Sequence, residues 1–417
     1  MLESSVNTSS KFTADEKGLT AKLAGLFSIR MLGIFIILPI LVTYSQSLEG
    51  STPVLTGLVF ASYAITQLLP QPIFGIVSDK VGRKPALNVG LSLFTFGSLV
   101  LVFASSIYIA ILGRIIQGSG AVSAVVLAMA TDLTREQIRS KVMAFIGVSI
   151  GLTFGIAISI APVIYYLAKG YGIFGLCAVL GIAGIFIAIK YIPEIPATPK
   201  KNDHKESIKE LTHIAFKENN VVRLYFGAFM LHLLLTMTFA TLPILFKQLE
   251  ISTVSSAFYY TATFFVSIIV MFIFVGLAER FYKHRILFLF AIVLLAASYL
   301  FMLVSGDGSR WLIITSLALF FFGFNIMEAS QPSLMSRFAD QNYRGTIMGV
   351  FSSSQFLGAS IGGMLGSIIS GYMGVQYVFY LTFILTALWF VIAWPMQNPI
   401  KPVKKPESET NDEEVIA

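Results

Sequence analysis

GIVSDKVGRKP, residues 75–85, packs Asp79, Lys80, Arg83 and Lys84 into eleven positions of a chain in which only 12% of 417 residues are charged. Apolar residues make up 56%, against roughly 45–50% apolar and 25% charged in soluble globular domains. Charge is therefore confined to short punctuation between long apolar runs. Those runs extend for about 20 residues, the length a helix needs to cross a hydrocarbon layer roughly 30 Å thick. A β-barrel is excluded, because its strands alternate over about 10 residues.

Working outward from residues 75–85, six spans are expected at 22–46, 54–77, 86–104, 107–131, 141–167 and 172–192. Six more follow at 222–246, 256–278, 285–304, 310–335, 345–370 and 376–395. The expected fold is all-α and integral to the membrane, with twelve transmembrane helices in two six-helix bundles. Its parts are a cytoplasmic N-terminal tail at 1–21, an N-terminal bundle at 22–192, a linker at 193–221, a C-terminal bundle at 222–395 and a disordered tail at 396–417. The first 20 residues lack a cleavable signal pattern, so the first span is expected to stay as an anchor. Of the 29 Lys and Arg residues, 24 fall on one side of this arrangement and three (Lys169, Lys247, Arg310) on the other, with Arg30 and Arg114 inside spans. By the positive-inside rule both termini are cytoplasmic. The same topology accounts for the net charge of +7 without nucleic acid as a partner.

The two sets of six echo each other. VGLAERFYKH (275–284) sets Glu279, Arg280 and Lys283 against Asp79, Lys80 and Arg83, and RGTIMGVFSSS (344–354) sets Arg344 and Met348 against Arg139 and Met143. Parallel repeats of this kind are a known transporter architecture.

Gly75, Asp79, Lys80, Gly82, Arg83 and Lys84 match the pattern G-x-x-x-D-(R/K)-x-G-R-(R/K) that the major facilitator superfamily carries between spans 2 and 3. LGRIIQGSGA (112–121) resembles that family's second motif through Arg114, Gln117, Gly118 and Gly120. FSIRMLG (27–33), DLTREQIRSKVMAFIG (132–147), NIMEASQPSL (325–334) and SSSQFLG (352–358) are similar to the YajR-type efflux transporters of bacteria, whose C-terminal soluble domain finds no room in this length. The resemblance implies a monomeric, proton-coupled secondary transporter of the inner membrane. It also implies a cytoplasmic gate of Gly75, Asp79, Gly82, Arg83, Lys84 and Asp132, with Asp79 at the start of span 11 near Gly345 and Thr346, and Arg83 on Asp132. In proton-driven members the arginine at position 114 here is tied to proton movement. The fifth span departs from the antiporter pattern: after Gly147, Gly151 and Gly155 it continues APVIYY (161–166) where paired glycines are expected.

Charged and polar residues inside spans are the candidates for the transport pathway. Arg30 lies eight residues beyond Lys22, about 12 Å along a helix, and an arginine at the centre of a span costs roughly 2.5–3.5 kcal/mol. It is expected to face a wet cavity or an acid. Glu328, sharing a stripe with Asn325, is the one acid deep in any span, and an isolated carboxylate in a low dielectric favours its neutral form, as a proton carrier must. Glu328 then either carries protons or forms a static pair with Arg30. His232 either titrates or bridges helices as a neutral ring. Tyr63, Gln67 and Gln71, each four residues apart, and Gln355 are candidate cavity-lining groups. Cys177 stands alone in an apolar run and reads as filler. No phosphate-binding loop, metal cluster or cofactor motif is present, so the expected partners are a small-molecule substrate, protons and the lipid bilayer, and the chain is not expected to be an enzyme.

Overall fold

The computed structural model describes residues 12–68, 70–120, 122–194, 208–305, 309–340 and 343–399. Among them the chain is all helix, with fifteen helices and no strand beyond one isolated bridge between Glu49 and Ser106. The first eight are α1 (Ala14–Phe35), α2 (Leu41–Gln46), α3 (Pro53–Leu68), α4 (Pro70–Val81), α5 (Arg83–Val102), α6 (Ile107–Ser119), α7 (Val122–Asp132) and α8 (Glu136–Tyr191). A short surface helix, α9 (Ile208–Ala215), leads to α10 (Asn219–Gln248), α11 (Thr253–Phe281), α12 (His284–Val304), α13 (Arg310–Phe338), α14 (Arg344–Tyr372) and α15 (Val375–Ala393). Eight helices are long and apolar enough to cross a membrane. Three expected spans are broken into shorter pieces: 22–46 becomes α1 and α2, 54–77 becomes α3 and α4, and 107–131 becomes α6 and α7. In contrast, α8 runs through two expected spans. A straight helix over its 51 apolar residues would be about 77 Å long, more than twice the hydrocarbon thickness. Lys169, with φ 51 and ψ −148, folds it back on itself.

Local chemistry sets several of these ends. Thr13 and Glu16 form a reciprocal capping box at the start of α1, satisfying two of the N–H groups a helix start leaves free. Between α4 and α5 the chain turns in one residue, Gly82, at φ 99 and ψ 151, a conformation essentially restricted to glycine. The glycine of the opening motif is thereby accounted for.

Glycines also decide which helices pack most closely. Gly358, Gly362 and Gly366 recur every four residues on α14 and press against the backbone of α10, where a Cβ at Gly366 would sit 2.9 Å from Met237 Cα. Small residues at this spacing let helix backbones approach within the membrane, where hydrophobic burial gives no preference for protein over lipid. A second face of α14 meets α3, with Gly57 against Met364, Gly363 against Phe60 and Gly371 against Pro53, and Ser360 Oγ donating to Ala61 O at 3.4 Å. These contacts, with α2 on α10, gather at the end of the bundle opposite the basic loops. There, residues including Gln46, Thr56, Ile244 and Ser367 line a cleft of about 250 Å³. At the basic end, α4 packs on α5 and α7, within the first eight helices. Helices α1–α8 and α10–α15 therefore meet tightly at one end.

Midway along the bundle the two groups meet through aromatic rings. Phe154 of α8 contacts Phe35 of α1 and the rings of Phe239, Phe264, Phe321 and Phe324, with centroids 5.0 to 6.5 Å apart. Gly155 beside it admits the Phe264 ring. Four of the five rings meet Phe154 edge-on or nearly so, the arrangement that ring quadrupoles favour.

Candidate functional site

Within α1–α8 the polar residues converge on the break between α6 and α7. Gly120 lies in that break, and its carbonyl accepts from Arg30 Nε at 3.2 Å. Two residues earlier the Gly118 carbonyl accepts from Gln67 Nε2. The Gly118 carbonyl loses its helical partner where the helix is interrupted and takes a side-chain donor in its place, while the Gly120 carbonyl also accepts from Val122 N at 2.8 Å. Arg114 Nη1 donates to Gln117 Oε1 at 2.6 Å, its Nε to Val59 O at 3.4 Å, and Gln117 Nε2 to Ser98 Oγ at 2.9 Å. The guanidinium carbons of Arg30 and Arg114 stand 5.2 and 4.1 Å from the centroid of the Tyr63 ring, and Arg30 also lies 5.5 Å from the Phe94 ring. Away from water such a cation over a ring contributes about 2 kcal/mol.

This arrangement corrects two sequence expectations. Arg30 faces neither a wet cavity nor an acid: it is fully buried, and no ion pair joins it to Glu328. Its membrane burial is tolerated through a backbone carbonyl and two ring faces. Tyr63 and Gln67 are likewise buried rather than lining open space, because the two arginines and the orphaned carbonyl draw them inward. The side chain of Gln71 lies outside the described residues.

In the second group His232 of α10 and Glu328 of α13 come together, with Nε2 and Oε2 3.9 Å apart. The His232 Nδ1 lies 3.1 Å from Ala228 O. A carbonyl only accepts, so Nδ1 carries the hydrogen, and in the neutral form of the ring Nε2 is then the acceptor turned toward the carboxylate. Two acceptors then face each other, and a proton on either one makes the contact attractive. Both side chains remain partly accessible, 19% and 39%, although each lies well inside its helix. Asn325 turns away from this pair and donates to Ser267 Oγ at 2.6 Å. Gln355 is half-buried on α14.

At the basic end Arg83 Nε donates to Asp132 Oδ2 at 2.9 Å and Nη1 to Ser78 Oγ at 2.6 Å. Lys84 Nζ reaches Ile189 O at 2.8 Å. The side chains of Gly75's neighbour Ile76 and of Asp79 itself lie outside the described residues, as does Gly75's own surrounding. The second repeat builds its own pair from other members: Glu279 accepts two hydrogen bonds from Arg337 at 2.6 and 2.8 Å, with His284 Nε2 3.2 Å from Arg337 Nη1. The loop supplies the base and the helix end the acid in the first repeat, and the signs are exchanged in the second.

No residue pattern marks out the Phe154 cluster, since 36 phenylalanines offer no contrast among themselves. Gln117 as partner of Arg114 was within reach, because it lies three residues on, on the same helix face.

Comparison with known proteins adds the context for this geometry. The Major Facilitator Superfamily model matches residues 23–363. The inner membrane transport protein YajR of Escherichia coli K12 is 38% identical over 93% of this chain and 85% of its own length. Multidrug resistance protein 1 of Bacillus subtilis is 26% identical over 92% of this chain and 97% of its own. Among solved structures, a D-xylose-proton symporter superposes with a TM-score of 0.73 at 14% identity, over 91% of this chain and 98% of that one.

Proposed function

Because the chain belongs to the Major Facilitator Superfamily and is a multi-pass inner-membrane transporter, we propose that it exports small organic molecules in exchange for protons by alternating access. In this reading twelve spans form bundles at 22–192 and 222–395, joined by the linker at 193–221, with both termini and the basic loops in the cytoplasm. The tight end of the bundle is then the outer one, and the structure corresponds to the inward-facing half of the cycle.

The observation that carries proton coupling is the His232–Glu328 pair. It sets an acid and a base together at mid-span, partly accessible, with one hydrogen needed to make them complementary. Glu328 exchanges the proton, and His232 Nε2 faces the protonated carboxyl as its hydrogen-bond acceptor. Phe154 and its ring neighbours close the outer side of the pathway in this state; Arg83 and Asp132 are already paired in it, and Asp79 engages the start of the eleventh span when the inner side closes. Export is supported by the multidrug resistance proteins among the relatives. Uptake by proton symport is the second reading, favoured by the missing glycine pair of the fifth span.

Direction and coupling are separated in everted vesicles carrying an imposed proton gradient. Addition of an exported compound collapses the gradient in wild type, and Glu328→Gln abolishes the collapse while leaving counterflow exchange of substrate. Undiminished proton movement in Glu328→Gln refutes the assignment, and alkalinisation of the opposite compartment selects symport.

A further inference from the structure

Arg30 and Arg114 are two cations inside α1–α8 with no carboxylate beside them. The ion pairs of this group, Arg83–Asp132 and Arg135–Glu16, lie at its basic end. Arg30 is fully buried, yet Nη1 and Nη2 have no hydrogen-bond partner. A ring face below the guanidinium plane answers its charge but not its in-plane N–H donors. Those donors form a fixed fork whose best complement is an anion with oxygens or a halide in the same plane.

Three further features surround that fork. Arg114 brings a second guanidinium over the same Tyr63 ring, 4.1 Å from its centroid. The helix break lies beside the arginines, with the Gly120 carbonyl just ahead of α7 (Val122–Asp132) accepting from Arg30, and the starts of broken helices in transporters carry partial positive charge toward anionic ligands. The Tyr63 hydroxyl has no partner either, so no hydrogen bond holds the ring between the two cations.

We propose that Arg30, Arg114 and the α6–α7 break form a binding site for a compact anionic group, with the Tyr63 ring as a lid that swings out from between the guanidinium groups. The group is either a carboxylate carried by the transported molecule or a free inorganic anion such as chloride. In the first case the site narrows the substrate class of the proposed transporter to organic acids, and to that extent it rests on the transport reading above.

Thermal unfolding of the full-length protein in lipid nanodiscs tests the site without requiring flux. Sodium acetate, sodium benzoate and sodium chloride are titrated in turn, with acetamide and benzamide as neutral counterparts. The anions raise the unfolding temperature saturably and the amides do not. Arg30→Gln removes the effect, Arg30→Lys keeps part of it, and Tyr63→Ala lowers the half-saturating concentration by about tenfold, because the competent state no longer has to be selected against the lid. Misfolding cannot produce that gain. Stabilisation by the carboxylates alone assigns the site to an organic acid; equal stabilisation by chloride assigns it to an inorganic anion. The proposal is overturned by amides acting as strongly as their acids, by a full effect in Arg30→Gln, or by no anion effect in either wild type or Tyr63→Ala. Glu328→Gln retains the anion effect, so undiminished proton movement in that variant with anion binding intact refutes only the proton assignment.

Discussion

Replacing Gly57 by alanine puts a methyl group 2.9 Å from Met364 Cα and 3.1 Å from its carbonyl oxygen. Ordinary contacts there would be half an ångström or more longer, and the opposing atoms are backbone that cannot rotate aside. The contact joins α3 to α14 across the two helix groups, so the strain falls on the conformation in which that end is closed. Overpacking of this kind costs about 1–3 kcal/mol. If the open conformation is relieved of all of it, the equilibrium between the two moves by about 5- to 150-fold. The readout is a cysteine at Ser367, a buried residue lining the cleft at that end, challenged with a membrane-impermeant maleimide. The native Cys177 is buried and stays silent. Labelling of Ser367→Cys accelerates within that range when Gly57→Ala is added. Gly175→Ala is the control, because a Cβ there meets nothing within 4 Å. An unchanged labelling rate in a folded Gly57→Ala protein, or equal acceleration by Gly175→Ala, refutes the idea that this contact holds the end shut.

Three other perturbations follow from the same geometry. Gly82→Ala forces a side chain into φ 99 and lowers stability by about 1–3 kcal/mol, seen as a fall in the unfolding temperature and in the yield of monodisperse protein. Arg83→Ala leaves Asp132 and Ser78 without their donor and costs about 1.5–3 kcal/mol, whereas Arg83→Lys recovers part; a double-mutant cycle with Asp132→Asn gives a coupling energy well above zero. Glu16, ahead of the first apolar run, is held down at about 2 by the Arg135 guanidinium and the Thr13 backbone N–H. A depressed carboxylate stabilises the fold above its unfolded value and ceases to as pH falls through its folded one. The difference in unfolding temperature between wild type and Glu16→Gln therefore holds steady from neutral pH down to about 5 and shrinks toward zero as pH approaches 2.

The all-helical class, the positions of the apolar runs, the family resemblance and the Arg83–Asp132 pairing were legible in the residues alone. Apolar run length is set by bilayer thickness, and both the motif and the loop charges act locally, so each leaves its mark in neighbouring positions. Gly82 belongs with them, because a one-residue turn at positive φ selects glycine wherever it occurs. The partners of Arg30, Tyr63 and Glu328 were not legible. Each depends on how α1, α3, α6, α10 and α13 rotate about their axes and where α6 breaks from α7. Rotation and breakage are set by packing between helices distant in sequence. An arginine in a span announces that something must compensate its charge; only the tertiary fold decided that the compensation for Arg30 is the Gly120 carbonyl and the Tyr63 and Phe94 rings, and that the partner of Glu328 is a histidine almost a hundred positions away.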